Sequence, residues 1–246
     1  MTASGAVRFG RYAFPPNSLG YCGPEDNRSL LEHVASGSGD AGLIELACQF
    51  SGAYPYLRLI SDANGIADPF DDRVVEAYWV GNDLLDKVAA APFDESLRTR
   101  FGGRIMAADF RWLETKLEDG ARPHHNFHVF EIYPRAGLMN EAVAPVLLNT
   151  LDNCRISWAR VIEVGLDSVE VERQPLVLEG GKLALGSPAR QHLVLQLDGR
   201  GLMPSVKPGD DVAAHWGWAC EVLPAPALQR LQAWTSRSMQ LANLTI

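Results

Sequence analysis

The spacing between apolar residues changes at Cys154, and that change limits the folds open to this chain. Before it, apolar side chains recur every three or four residues, the repeat of a helix with one face on a core. After it, Ile156 to Val164 partly alternates and Val169-Glu170-Val171-Glu172 alternates cleanly, the period of a strand. A chain of 246 residues has room for one large domain or two modest ones. The reading is an α+β protein: a mainly helical domain over residues 1–150, then a small OB-like β-barrel with a C-terminal helix over residues 151–246.

Within the helical part, Met1 to Asn27 reads as irregular because Phe14-Pro15-Pro16 and Cys22-Gly23-Pro24 interrupt it. Asn27 or Ser29 caps a short helix through His33. Asp40 caps another that carries Leu43, Leu46, Ala47 and Phe50. Asn64-Gly65 and Asp68-Pro69 mark a break. A helix then runs from Val74 to Val88 and ends at Pro92. Asp94 caps the next, which passes through Leu97, Phe101, Ile105, Ala108 and Leu113. Val129 to Tyr133 reads as a buried strand, and Met139 to Leu151 as a helix despite Pro145.

In the second part, Leu176 to Leu178, a Gly180-Gly181 turn, Lys182 to Leu185 and His192 to Leu197 continue the strands. Lys207-Pro208-Gly209-Asp210 makes a tight turn before Asp211 to Ala214. Short strands at this spacing suggest a barrel. Pro224 and Pro226 introduce a last helix holding Leu228, Leu231, Trp234 and Leu241.

The apolar fraction of 47% and charged fraction of 21% are those of a globular protein. A net charge of −8 argues against a duplex nucleic acid or an anionic membrane as partner, since both need clustered Lys and Arg. No stretch of about 18 apolar residues could span a bilayer. The first residues lack the apolar run of a signal peptide. The four cysteines, Cys22, Cys48, Cys154 and Cys220, form no Cys-x-x-Cys pair and read as free thiols in a reducing cytoplasm. No phosphate loop, nucleophile elbow or dinucleotide fingerprint is present, so no nucleotide is expected.

Cys154 precedes the first strand, and His215 follows the Pro-Gly-Asp turn and its strand. A thiolate and an imidazole together suit iron, zinc or copper(I), although two ligands alone hold a metal weakly. The stretch Cys154-Arg-Ile-Ser-Trp-Ala-Arg-Val161-Ile-Glu-Val resembles the opening of the HypC family of nickel–iron hydrogenase maturation chaperones. Val206-Lys-Pro-Gly-Asp-Asp-Val-Ala-Ala-His215-Trp-Gly-Trp-Ala219 resembles that family's later motif, and Ala225 to Leu241 its terminal helix. The resemblance implies that Cys154 and His215 carry iron, as a cyanide- and carbonyl-ligated fragment. It also implies hydrogenase maturation proteins or the hydrogenase large subunit as partners. The family's cysteine is N-terminal whereas Cys154 is internal, Ser157-Trp158 replaces the usual Gly and Pro, and the interval to His215 is longer by roughly one hairpin, placed near Leu176 to Gln191. The N-terminal half looks like an uncharacterised bacterial family, which brings no activity with it.

Two further groups carry chemistry. Pro123-His124-His125-Asn126-Phe127-His128 holds three of the six histidines. Either as strand or as helix, His124 and His128 share a face, and with Glu131 they offer the His/carboxylate set of non-haem iron enzymes. Cys22, between Tyr21 and Gly23, can approach a ligand or substrate closely. Glu76 and Asp83 lie two helical turns apart and read as a solvated stripe, while Cys48 and Cys220 read as small core residues. Three functions remain open: an iron-carrying maturation factor, an iron-dependent enzyme built on His124, His128 and Glu131, and a metal-free interaction module.

Overall fold

Ser4 accepts a hydrogen bond from the Val7 N–H at 3.3 Å and starts helix α1, Gly5–Ser18, where the sequence suggests irregular chain. Pro15 and Pro16 do not prevent the helix, because they fall in its last turn and delete only the N–H groups that would reach back to Arg11 and Tyr12. Its glycines serve contact. A Cβ on Gly5 would run into the Phe70 carbonyl, and one on Gly10 into Val34. α1 is buried along nearly its whole length and forms the central rod of the molecule. The computed structural model describes residues 4–135, 144–203 and 205–245.

Around α1 pack α2 (Asn27–Ser36), α3 (Ala41–Cys48) and α5 (Asp72–Trp79), and α4 (Tyr54–Asn64) packs against α5. Asp26, rather than Asn27 or Ser29, caps α2, and Asp40 caps α3. The single helix expected from Val74 to Val88 is instead α5 and a short 3₁₀ turn, Asp83–Lys87, separated at Gly81. Gly81 has φ +95°, and a Cβ there would strike the Trp234 ring. Pro92 does not end a helix; it sits in the first turn of α6 (Ala90–Phe101), where a missing N–H costs nothing. Asp94 is accordingly inside α6 and pairs with Arg98 at 2.7 Å instead of capping. Gly102 and Gly103 separate α6 from α7 (Ala107–Glu118).

The expected strand Val129 to Tyr133 is helical. His124 caps α8 (His125–Phe127) through its own ring, and the helix widens into a π turn over His128–Ile132. Val129, Phe130 and Ile132 are buried there by helical packing, so a run of apolar residues imitates a strand. The helix expected from Met139 is described as α9 (Ala144–Cys154); residues 139–143 lie outside the described residues.

Beyond Cys154, β1 (Ser157–Val164), β2 (Ser168–Arg173), β5 (Ala189–Val194), β9 (Trp218–Val222) and β8 (Asp211–His215) hydrogen-bond in that order into a closed barrel. Pairing is antiparallel except between β5 and β9, which meet in parallel at Val194 and Trp218. Ala159, Val161, Val169, Val171, Leu193, Val212, Ala214 and Ala219 fill the interior. The hairpin of β3 (Leu176–Glu179) and β4 (Lys182–Leu185) is a separate two-stranded sheet, where extra chain is expected; β6 (Gln196–Leu197) and β7 (Arg200–Gly201) form another. The last helix, α10 (Ala225–Ala242), follows as expected.

The main core crosses residue 150. It joins Phe9, Tyr12, Leu57 and Trp79 to Ile156, Ala213, Trp218 and Leu231. Arg8 on α1 reaches Glu221 on β9 at 2.7 Å and Asp72 on α5 at 3.0 Å, and the Tyr12 hydroxyl donates to Glu221 at 2.8 Å. The fold is mixed α+β, with a helical first part and a terminal helix. No helix among the described residues is long and apolar enough to cross a membrane.

Candidate metal centre

Pro16 has no N–H to give, so the Tyr12 carbonyl four residues earlier is left without its helical donor. His215, at the end of β8, takes that place: its Nδ1 donates to the Tyr12 oxygen at 2.7 Å. A register shift between Ala213 and Ala214 re-aims the strand end at this point. Because a carbonyl can only accept, the bond fixes the proton on Nδ1 and leaves a lone pair on Nε2. Nε2 is buried, in a side chain 1% exposed, and makes no hydrogen bond of good geometry among the described residues, although the Cys154 carbonyl lies near enough to raise the imidazole's value. Burial pushes the imidazole down to about 4, so it is neutral at pH 7.

His125 opens α8 beside it, the two rings 5.2 Å apart and nearly perpendicular. Its Nε2 donates to the Cys154 carbonyl at 2.8 Å, and its Nδ1 accepts from the Tyr78 hydroxyl at 3.1 Å. Asn126 secures this placement with a two-way clasp: its Oδ1 accepts from the Ile156 N–H at 2.8 Å while its Nδ2 donates to the Ile156 carbonyl at 3.1 Å and to Thr235 at 2.8 Å. Trp79 packs against both imidazoles. Burial, then the neighbouring His215, drives the His125 value well below the ordinary one.

Cys154, the last residue of α9, is partly exposed, and its Sγ lies 4.0 Å from His125 Nε2. Burial, then the nearby Cys22, pushes its thiol up to about 12, and the Trp216 indole pulls the other way. His125, Cys154 and His215 offer donor atoms that all lie within 4.8 Å of one another. Around a tetrahedral ion with bonds of about 2.0–2.3 Å such donors stand roughly 3.5 Å apart, so the trio needs to close by about an ångström. Two imidazoles and a thiol suit zinc, iron, cobalt or copper(I). A cation at His125 Nε2 would displace its proton to Nδ1, where the Tyr78 oxygen can accept it; His215 already has the backbone partner that metal-bound histidines use.

Cys154 and His215 thus come together as a pair, and the third member is His125, not His124 or His128. His124 has extended backbone as a cap, so helical spacing does not apply to it; its ring lies nearly parallel to Trp234, 6.0 Å away, and its Nδ1 accepts from the Asn126 N–H at 3.1 Å. His128 faces the Tyr56 hydroxyl at 3.0 Å. Glu131 is fully buried between Lys116, at 2.6 Å, and Arg135, at 2.6 Å, and stands apart from the imidazoles. Glu76 likewise serves Arg8 and Arg230, with Asp83 beyond the Gly81 break. Cys220 is buried as a core residue and Cys48 is partly buried. Sequence spacing overlooks His125 and Asn126; the one available signal is that a capping His124 makes the next residue the first to turn inward.

Cys22, in the loop after α1, is exposed as a residue, while its sulfur faces inward enough that burial pushes the thiol up to about 11. Asn17 Nδ2 donates to the Cys22 carbonyl at 2.8 Å and to the Pro24 carbonyl at 2.7 Å. Tyr21 stacks on Trp216 with ring centroids 4.3 Å apart.

A family model described as a family of unknown function (DUF6390) matches residues 1–246. The chain belongs to this family. The match to DUF6390 takes in the helical part and the barrel alike, not the N-terminal half alone. No curated protein and no solved structure matches the chain.

Proposed function

We propose that this protein binds one transition-metal ion through His125, Cys154 and His215 and carries it for delivery, with iron as the cargo. The observation that carries this reading is the convergence of His125, Cys154 and His215 donor atoms within 4.8 Å, with the buried Nε2 of His215 making no well-formed hydrogen bond. An unpaired polar atom in a core costs about 1–3 kcal/mol, a cost that a bound cation would remove. Three ligands with one on a partly exposed cysteine suit a carrier, which must both hold and release.

Iron, and its delivery as a cyanide- and carbonyl-ligated fragment to a cytoplasmic nickel–iron hydrogenase, come from the resemblance of the Cys154 and His215 segments to the HypC family. The closed five-stranded ring, with its third and fifth strands parallel, fits the OB-like barrel of that reading. Under it, hydrogenase maturation proteins or the large subunit are the partners, and His125 supplies in the same chain a ligand that a small barrel would have to borrow.

The test is metal analysis and infrared spectroscopy on anaerobically purified protein. The expected result is about one iron per chain, lost in Cys154→Ala and in His215→Ala. Cyanide and carbonyl stretching bands would identify the fragment. Iron retained in both variants overturns the site. Failure to take up iron, zinc, cobalt or copper(I) after anaerobic reconstitution leaves a metal-free interaction module.

A further inference from the structure

The trio lacks the fourth ligand of a closed tetrahedral site, and one loop of the helical layer stands over it. That loop is held from three sides. The Tyr21 N–H donates to the Pro16 carbonyl at 3.0 Å, one turn along α1 from the Tyr12 carbonyl that orients His215. Asn17 grips the carbonyls of Cys22 and Pro24. The Tyr21 ring lies on Trp216, the residue after His215, and the Trp216 N–H in turn donates to the Asn153 carbonyl at 2.9 Å, next to Cys154. His215-Trp216 is therefore tied on one side to Tyr21-Cys22 and on the other to Asn153-Cys154. Trp216 keeps this arrangement with φ +47°, a left-handed conformation that a non-glycine residue adopts at a cost of order 1 kcal/mol.

The buried His215 Nε2, which makes no well-formed hydrogen bond, is an independent sign that a ligand belongs here. Cys22 is outside the compact trio, so it must move inward to coordinate. The loop backbone is held at Tyr21, at the Cys22 carbonyl and, beyond it, at Gly23 against the Phe50 ring, so the movement is a rotation of the Cys22 side chain about χ1.

We propose that Cys22 is the fourth, exchangeable ligand of the His125/Cys154/His215 centre and the one through which metal enters and leaves. This rests on the metal-carrying reading. Three ligands come from the interior and stay; the fourth comes from the surface and can be replaced by a thiolate of an acceptor protein. On binding, Cys22 and Cys154 each form a sulfur–metal bond and each release one proton to solvent.

Cobalt(II) titration of the anaerobic full-length protein tests this, because thiolate-to-cobalt charge-transfer absorption scales with the number of sulfur ligands. Wild type should show a four-coordinate spectrum with two-thiolate intensity. Cys22→Ser should keep one cobalt with about half that intensity, and should hand cobalt to a chelator several-fold faster. Cys154→Ala and His215→Ala should bind weakly or not at all. A Cys22→Ser spectrum and transfer rate equal to wild type overturn the role of Cys22 and leave the trio intact. Wild type that binds no cobalt, or Cys154→Ala that binds it normally, overturns the parent reading and this one with it. Cys22→Ala repeats the comparison without an oxygen that could substitute for sulfur.

Discussion

His215 Nδ1 stands 2.7 Å from the carbonyl oxygen of Tyr12, an acceptor available only because Pro16 cannot supply the helical N–H. A proline in one layer thereby selects the tautomer of a histidine in the other. Pro16→Ala restores a competing donor. It should leave the protein folded while weakening metal affinity about 10–100-fold, the usual effect of disturbing the group behind a ligating histidine. Competition against a chromophoric chelator measures it, and unchanged affinity would separate the proline from the site.

Asn126 is predicted to be a stability residue as much as a positioning one. Asn126→Leu strands the Ile156 N–H and carbonyl in the interior and should cost about 2–4 kcal/mol in denaturant unfolding. Asn126→Asp keeps the acceptor for the Ile156 N–H and loses both donated bonds, so its loss should be smaller if its carboxyl takes up a proton. Equal and negligible costs in both variants would contradict the clasp.

Glu131 separates the two sets of site residues. Glu131→Gln leaves the buried Lys116 and the partly buried Arg135 without their anion, and should destabilise the fold by about 3–5 kcal/mol. Metal stoichiometry at low temperature should not change. Loss of metal from a still folded Glu131→Gln protein would reinstate the histidine/carboxylate site.

Acid sensitivity has a defined window at His128. Burial, with Arg100 adding repulsion, depresses its value to about 3, against an ordinary value near 6.5. Between those limits the unfolded chain takes up a proton that the folded one refuses, so stability falls as pH is lowered from about 6.5 toward about 3. His128→Gln keeps an acceptor for the Tyr56 hydroxyl and should lessen, without abolishing, the fall in stability across that range, because the buried His124, His125 and His215 refuse a proton there as well. A profile unchanged from wild type would show that His128 is protonated in the folded protein.

Much of the fold is legible in the sequence because it follows local rules. Asp40 caps its helix, Val169 and Val171 alternate into the barrel interior, and the Lys207 to Asp210 turn delivers β8. What sequence spacing misses depends on distant neighbours. α1 looks broken until its glycines meet Phe70 and Val34 and its freed carbonyl meets His215. The Val74 to Val88 helix looks continuous until Trp234 occupies the space at Gly81. The pair Cys154 and His215 is foreseeable from flanking motifs. His125 is hidden among three histidines, because its selection depends on where a cap ends and on Asn126 finding Ile156.

Tyr12 and His215 are 203 residues apart in sequence, and that distance orders events during synthesis. The ribosome makes the α1 carbonyl long before the imidazole that needs it. His125 and Cys154 emerge in between, with no buried pocket yet to hold them. A nascent or truncated chain therefore cannot complete the centre. Under the metal-carrying proposal, acquisition of cargo becomes a late step, open only to a polypeptide in which α1 has already met β8.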